Sequence, residues 1–556
     1  MQYKKNIILL LITLSTLTMI AQKKTIKVIY HSYLNGEKNP DYEFVLKYKN
    51  GIAYLSKPKD KTQSFIDYHK KSIVDIINHQ GKLYKTVTAI NTLPKAELSN
   101  HTEKILGYTC KKATFRAFSN TIEVWYTTKT KAKGSPYKNY LPENSLVLKI
   151  IFNGNRELIA TAIKKDSKDT SLVYPYNEAT QITMAEYREF QIMSRYTAIP
   201  VFKKQQVNFE GKITNPDFDK LNTIYRFSNG TVVLKKIKLP KINKDGASVF
   251  ATVTNWSNGD AYDRTCSLFT ISNTKKTSVL DAFEKGLKEL PILKDNKANE
   301  YQGIISTDTY DVPIELMRFF TSFGVHHFNK KREINNYKWQ DSVVYKQEIT
   351  SLIPNTEDEV WLGVFIGNYD KGGHKVSLDL SFYPAWNKNP AKQKWINPLF
   401  NTTNILEMSG QNYGRLFKND TLKTSFEIPS DISDLNLLFT STGHGGWGQG
   451  DEFTPKLNQI YIDNNLVFTH VPWRSDCGTY RMSNPASGNF SNGLSSSDLS
   501  RSNWCPATVT PPFIIPLKTI KPGKHTIEVV IDQGDDQGSS FNSWNVSGIL
   551  TGTKSK

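Results

Sequence analysis

Residues 434–468 read DLNLLFTSTGHGGWGQGDEFTPKLNQIYIDNNLVF, and this stretch predicts the fold class of the chain. It opens with an apolar, partly alternating run that favours a β-strand and closes with two strand-like runs around an Asn-Asn turn. The glycines at 443–448 form a G-x-G-x-x-G pattern, which in a dinucleotide site leads directly into a helix. No helix pattern follows here, since Pro455 interrupts the segment. The glycines therefore indicate a bending loop and not a phosphate cradle.

Short strands separated by turn residues continue on both sides of this stretch. Asn-Gly pairs in hairpin position occur at 50–51, 153–154 and 229–230, and aromatic residues make up 12% of the chain. A length of 556 residues predicts more than one domain. We therefore expect a mainly β protein with two consecutive jelly-roll sandwiches after a small β-rich domain. The expected boundaries are 22–200 for the N-terminal domain, 205–390 for the first jelly roll and 391–556 for the second.

The N-terminus has the pattern of an export signal. Residues 1–21 contain a basic start, an apolar stretch and Ala21 at the expected cleavage point. No later apolar run approaches the length of a membrane span. We expect an exported protein, periplasmic or secreted, that acts as a monomer without a membrane span.

The positive charge of the chain is unevenly distributed. Residues 22–200 carry 29 Lys and Arg against 16 Asp and Glu, a surplus of 13, whereas the whole chain has a net charge of +19. A basic domain can bind nucleic acid, but export and the nearly neutral remainder argue against that partner. A solvated basic face, held near an anionic envelope surface, is the simpler interpretation.

Common metal and nucleophile motifs are missing from the sequence. The four cysteines form no C-x-x-C pair, and H-E-x-x-H and G-x-S-x-G are absent. His326 and His327 are adjacent, so on a strand they would point to opposite faces and could not easily hold one metal. We expect neither a metal nor a cofactor.

Polar and aromatic side chains concentrate in two regions, 255–271 and the group formed by 440–453, 472–480 and 500–507. Tryptophan faces bordered by Asp, Asn and Arg suit sugar rings, which stack on one side and form hydrogen bonds at their edges. Tightly turning loops with solvated acids would explain the same pattern without any ligand.

Part of the second region resembles a known family. DEFTPKLNQIYIDN, RSDCG and LSRSNWCP are similar to the second jelly roll of the peptide-N-glycosidase F family, secreted amidases that release whole N-glycans from asparagine. GDAYDRTCSLF and LMRFFTSFG resemble parts of its first jelly roll. In the N-terminal block, EKILGYTCKKATF, EVWYTTK and YLPENSLVLKI are similar to the small GLPGLI β domains. An additional domain at this place resembles the longer family members, which carry a bowl-shaped β domain there.

The resemblance implies roles for individual residues. Asp263 takes the position of the principal catalytic aspartate, Glu452 that of a glutamate on the opposite roll, and Arg501 that of a polar cleft residue. The sequence departs from the family pattern at one position. The family's further glutamate is expected within 365–373, but Asp370 is the nearest acid there and is out of register. The residues expected to contact substrate are Tyr262, Phe320, Phe453, Trp504, Trp447 and Asp260.

The resemblance also implies a disulfide between Cys477 and Cys505, while Cys110 and Cys266, in different predicted domains, are expected to be reduced. The expected activity is hydrolysis of the amide between asparagine and the first GlcNAc of N-linked glycoproteins and glycopeptides. A non-catalytic glycan-binding jelly roll and an endoglycosidase, which also uses two carboxylates, are the alternatives.

Overall fold

The computed structural model describes residues 24–555 except 56–60, 143, 273, 386–390, 446–449, 490–492 and 538–539. The predicted signal peptide and Trp447 lie outside the described residues. The chain divides into two compact units, Met1–Arg195 and Tyr196–Lys556. Across the described ranges, no helix combines the length and apolarity that crossing a bilayer requires.

The first unit is built on one twelve-stranded sheet. The strands are β1 (Thr25–Leu34), β2 (Glu37–Lys49), β3 (Ile52–Tyr54), β4 (Thr62–Asp67), β5 (Ser72–His79), β6 (Lys82–Ala89), β7 (Glu97–Ile105), β8 (Tyr108–Ala117), β9 (Asn120–Thr127), β10 (Leu146–Phe152), β11 (Arg156–Asp166) and β12 (Thr180–Gln181). Their order in the sheet is β12-β6-β5-β4-β3-β2-β1-β11-β10-β9-β8-β7. The helix Met184–Met193 follows, and Thr183 and Glu186 form a capping box at its start.

The second unit begins with a sandwich of a four-stranded and a six-stranded sheet. Val, Leu and Ile side chains alternate inward along these strands and form the core between the two sheets. The strands of the sandwich are β13 (Thr197–Val207), β14 (Ile224–Phe227), β15 (Val232–Lys238), β16 (Ser248–Ser257), β17 (Thr265–Ile271), β20 (Ile314–Phe320), β21 (Val343–Glu348), β22 (Glu359–Ile366), β23 (His374–Tyr383) and β29 (Val509–Thr510). The sheet orders are β13-β23-β16-β21 and β14-β15-β22-β17-β20-β29. Strands β18 (Ile292–Lys294) and β19 (Glu300–Gln302) form a separate two-stranded sheet, and the helices are Lys241–Lys244 and Val279–Lys285.

A second sandwich follows in the same unit and has its own apolar core. Its two sheets have the orders β24-β32-β26-β30 and β25-β31-β27-β28. The strands are β24 (Gln393–Asn401), β25 (Leu422–Ile428), β26 (Ile432–His444), β27 (Asn458–Ile462), β28 (Asn465–His470), β30 (Phe513–Pro516), β31 (Gly523–Ile531) and β32 (Ser543–Lys554). The predicted mainly β, jelly-roll architecture is confirmed. The strand predicted at the start of 434–468 is β26, and the hairpin predicted at its end is β27 with β28.

The two sandwiches are joined by backbone and side-chain contacts. Strand β29 comes from the second half of the unit and pairs with β20 of the first sandwich. Arg318 on β20 is fully buried and donates to Thr403 Oγ1 at 2.9 Å and Thr442 Oγ1 at 3.2 Å on the second sandwich. These contacts hold the loop between β16 and β17 beside the loops that follow β26 and β28.

Candidate active site

A cavity of about 430 Å³ lies between the loops of the two sandwiches. A larger cavity of about 830 Å³ is formed mainly by residues 326–341, but its acids Glu333 and Asp341 are both exposed. The smaller cavity is the candidate active site because it combines buried charge with aromatic side chains. Its lining residues are Tyr262, Asp263, Arg264, Phe323, Gly445, Glu452, Phe453, Gly488, Asn489, Ser496, Arg501 and Ser540.

Arg501 joins carboxylates from the two sandwiches. Its side chain is 1% exposed; Nη1 contacts Glu452 Oε1, and Nη2 lies 3.3 Å from Asp263 Oδ2. Nη2 also donates to the carbonyl oxygen of Ser496 at 2.8 Å. A planar guanidinium can hold two carboxylates in fixed directions, which a lysine cannot do in the same way. Arg501 therefore fixes the position of Asp263 relative to Glu452.

Aromatic rings fix Arg501 in turn. Its guanidinium carbon lies 4.5 Å from the ring centre of Trp504 and 4.9 Å from that of Phe453. Phe320 stacks beneath Trp504 with ring centres 4.4 Å apart. Trp504 Nε1 donates to the carbonyl oxygen of Gly443 at 3.0 Å. Of these rings only that of Phe453 lines the cavity.

Three of the residues expected to contact substrate do not line this cavity. Phe320 is fully buried, Trp504 is 3% exposed and Asp260 is 2% exposed. The rings of Phe320 and Trp504 pack together beneath Arg501, and the Trp504 face offers the guanidinium a cation-π surface. Their expected contact with substrate stays a prediction.

Asp263 combines partial burial with an unused oxygen. Its side chain is 15% exposed, and among the described residues Oδ2 has no hydrogen-bond donor, only the ion pair with Arg501. Burial raises the pKa of Asp263 above its ordinary value, while the charge of Arg501 opposes that rise. A carboxylate in the cavity wall with a raised pKa is suited to accept a proton.

Arg264 follows Asp263 in the sequence but pairs with Asp260. Its Nε and Nη2 donate to Asp260 at 2.7 and 3.1 Å, and His374 Nε2 lies 3.5 Å from the same carboxylate. Burial would raise the pKa of Asp260, but His374 and Arg264 outweigh burial and hold it well below its ordinary value. Asp260 is 2% exposed and is not in the cavity wall. It orders the loop that carries Asp263, and Tyr262, 61% exposed, stands at the cavity edge.

The acidic pair after the glycine run is divided between two environments. Asp451 is fully buried and accepts from Trp544 Nε1 at 2.7 Å and from the backbone N–H of Gly534 at 3.0 Å. Glu452 turns the other way, toward Arg501. A Cβ on Gly443 would lie 2.8 Å from the Trp544 ring, so only glycine permits this close approach. Gly443 therefore permits the close packing of Trp544 beside Asp451, the residue before Glu452.

One carboxylate near the site carries no recognisable sequence signal. Glu407 is half-buried and accepts hydrogen bonds from the hydroxyls of Tyr369 and Tyr413. Desolvation raises the pKa of Glu407, and the Tyr369 hydrogen bond and the charge of Arg264 oppose that rise. Asp370, the acid nearest the expected position of the family's further glutamate, instead accepts from the backbone N–H groups of Gly372 and Gly373 at 2.8 Å. It caps a turn, as short acidic side chains often do.

Three family models match the chain: Peptide-N-glycosidase F, N terminal, over residues 198–382; Peptide-N-glycosidase F, C terminal, over 412–551; and N-glycanase peptide, N-terminal domain, over 52–189. Two crystal structures of a protein described as PNGF-II, in space groups P21 and C2, are each 39% identical and each cover 96% of this chain. The alignment spans 100% and 99% of those chains, with TM-scores of 0.85 and 0.82. No curated protein sequence matches the chain.

The chain belongs to the peptide-N-glycosidase F family. It has the extra N-terminal domain of the PNGF-II type, since the alignment extends through that domain. Family membership supports an N-glycanase function that acts on N-linked glycoproteins.

The predicted disulfide of this family member is confirmed. Cys477 and Cys505 are bonded, with Cα atoms 5.2 Å apart, and Cys110 and Cys266 are buried free thiols. The bond closes a loop that contains four residues of the cavity wall: Gly488, Asn489, Ser496 and Arg501. It therefore constrains the segment that supplies the central arginine.

We expect the double substitution Cys477→Ala and Cys505→Ala to lower the free energy of unfolding by about 3–4 kcal/mol, because a closed loop of this size restricts the unfolded chain. Urea denaturation followed by tryptophan fluorescence measures the change. Dithiothreitol should reproduce it in the unsubstituted protein and have no further effect on the double variant. Equal stability of the two proteins without reductant would contradict the prediction.

Proposed function

We propose that the chain is an exported amidase that hydrolyses the bond between asparagine and the first GlcNAc of N-linked glycans. The product would be the whole glycan and a peptide with Asp in place of Asn. The observation that supports this most directly is the bridge of Arg501 between Asp263 and Glu452, which come from opposite sandwiches and line one cavity.

In the proposed reaction Asp263 is the general base. It takes a proton from water as the water oxygen bonds to the amide carbon. The C–N bond then breaks, its electron pair stays on nitrogen, and protonated Asp263 passes the proton to that nitrogen and is ionised again. Arg501 orients Asp263, and Glu452 assists from the other side of the cavity. Tyr262 and Phe453 provide the aromatic surfaces at the edge and wall of the cavity for a sugar ring.

Mass spectrometry of a glycopeptide after incubation tests the function directly. The proposal expects a peptide that carries Asp at the former glycosylation site. A peptide that retains one GlcNAc on Asn would identify an endoglycosidase, and an unchanged glycopeptide that binds the protein would identify a glycan-binding module. Either outcome would overturn the proposal.

The pH dependence of the reaction tests the proposed base. Because only the ionised form of Asp263 accepts a proton, we expect kcat/KM to fall with decreasing pH, with the midpoint above the ordinary pKa of 3.8. Asp260 cannot cause this fall in kcat/KM, the acid limb of the pH profile, because its own pKa is held well below 3.8. Measured kcat/KM across the acidic range gives the midpoint.

Glu407 is the necessary control for that profile, since its pKa is also raised. Glu407→Gln should leave the acid limb in place. A limb that disappears in Glu407→Gln would assign the titrating group to Glu407 and would contradict the proposed role of Asp263.

A further inference from the structure

A basic cavity lies in the N-terminal unit, outside the proposed active site. It has a volume of about 750 Å³. The C-terminal ends of β2, β4 and β11 and the start of β1 contribute to its wall, and Lys131, Lys133 and Asn144 come from the segment between β9 and β10. Its lining residues are Lys24, Ile26, Tyr48, Lys49, Asn50, Gly51, Tyr68, His69, Lys131, Lys133, Asn144 and Lys165.

The charge of this cavity is not balanced by acidic side chains. Five of the lining residues are lysines, and among the described residues none in the wall is an Asp or Glu. None of these five lysines forms an ion pair with a described acid, whereas Lys27 and Lys47 on the same sheet both pair with Asp169. Like charges that converge without counter-ions raise the local positive potential and favour an anionic ligand.

The floor of the cavity also has an unused polar group. Among the described atoms the Tyr68 hydroxyl is buried and has no hydrogen-bond partner. Its ring packs edge-on against Tyr48 with centres 6.3 Å apart, and Lys133 Nζ lies 5.5 Å from its centre. Burial raises the pKa of both Tyr48 and Tyr68, so both hydroxyls remain neutral donors. A buried donor without an acceptor is costly unless a ligand supplies one.

We propose that this cavity binds an acidic oligosaccharide, with the lysines facing its carboxylate or sulfate groups and the two tyrosines facing a sugar ring. Its volume falls in the range of ligand pockets and is too large for a single inorganic anion. The amides of Asn50 and Asn144 line it too and provide partners for hydroxyl groups. A concave site suits a soluble sugar better than a lipid surface, which needs an exposed basic face. This binding function goes beyond the proposed amidase activity.

Binding of 3′-sialyllactose to the full chain, measured by calorimetry, tests the proposal, with lactose as the neutral control of similar size. We expect sialyllactose to bind at least tenfold more tightly than lactose. Neither sugar contains an asparagine linkage, so this result is independent of whether the protein cleaves glycopeptides. Equal affinity for the two sugars, or no binding of sialyllactose, would overturn the proposal.

Two sets of substitutions locate the site. Lys131→Ala with Lys133→Ala should weaken sialyllactose binding at least tenfold, and Tyr68→Phe, which keeps the ring and removes the hydroxyl, should also weaken it. The matched control is Lys82→Ala with Lys111→Ala, which removes equal charge from exposed positions outside the cavity. An equal loss in the control would show non-specific attraction and overturn the proposal. Binding of phosphatidylglycerol vesicles that depends on Lys131 and Lys133, without sialyllactose binding, would instead identify a membrane surface.

Discussion

Asp263→Asn is expected to lower kcat for glycopeptide hydrolysis by about 10²- to 10⁴-fold, the usual contribution of a positioned general base. The substitution keeps the size and one hydrogen-bonding oxygen but removes the basic lone pair. Glu452 would still hold Arg501 in place, so glycopeptide binding should change little. Single-turnover kinetics with a defined glycopeptide separates the chemical step from binding.

The folding of this variant should be intact for an electrostatic reason. Burial raises the pKa of Asp263 in the folded state above its value in the unfolded chain, so ionised Asp263 reduces stability once the pH exceeds both values. Asparagine carries no such cost. The free energy of unfolding of Asp263→Asn at neutral pH should therefore equal or exceed that of the unsubstituted protein, and thermal denaturation at pH 7 checks this.

The control for the activity measurement is Asp341→Asn, an exposed acid of the same sandwich, which should leave the rate within about twofold. A rate for Asp263→Asn within tenfold of the unsubstituted protein, a difference of about 1.4 kcal/mol, would show that another group is the base. Glu452→Gln is the next variant to measure, because Glu452 lines the same cavity and contacts the same arginine.

The sequence predicts the fold class well because strand and turn signals are local. Alternating apolar residues and Asn-Gly turns need only a few neighbours, so 434–468 shows its strand, loop and hairpin without knowledge of the rest. The cysteine pair and the convergence of Asp263, Glu452 and Arg501 depend on distant contacts. They were predictable only through the family resemblance, and their catalytic roles remain a proposal.

The partner of each charge was not predictable from spacing. Asp263 and Arg264 are adjacent, yet Arg264 binds Asp260 and Asp263 faces Arg501. Adjacent side chains in an extended loop point in different directions, so neighbours in sequence rarely pair. Glu407 is similar, because its hydroxyl partners become close only after folding. An aromatic residue in a cleft motif also gives no sign of whether it faces the ligand or, as Phe320 does, supports another ring.

A large loss of stability is expected when the buried ion pair between Arg318 and Glu315, which lies where the two sandwiches meet, is broken. Arg318 and Glu315 have side chains 0% and 2% exposed, with Nη2 and Oε2 2.8 Å apart. Glu315 also accepts from Ser267 at 3.1 Å and Ser547 at 2.6 Å. We expect Arg318→Met to lower the free energy of unfolding of the second unit by about 3–5 kcal/mol, because it leaves a buried carboxylate without its cation.

Replacing both members of the pair separates the loss of charge balance from the loss of packing. In Arg318→Met with Glu315→Leu no charge remains buried, so the double variant should be more stable than Arg318→Met alone. It should not regain full stability, since the hydroxyls of Thr403, Thr442 and Ser547 lose their partners in a buried region.

Lys236→Met is the matched control, because Lys236 pairs with Asp219 and Glu359 at a partly exposed position. Lys236→Met should lower the free energy of unfolding by about 0–1 kcal/mol, as for other surface ion pairs. Guanidinium denaturation of the four proteins gives the comparison. A cost below about 1 kcal/mol for Arg318→Met would mean that water or a rearranged neighbour replaces the arginine. The rigid joint between the sandwiches would then depend on strand β29 and the apolar contacts alone.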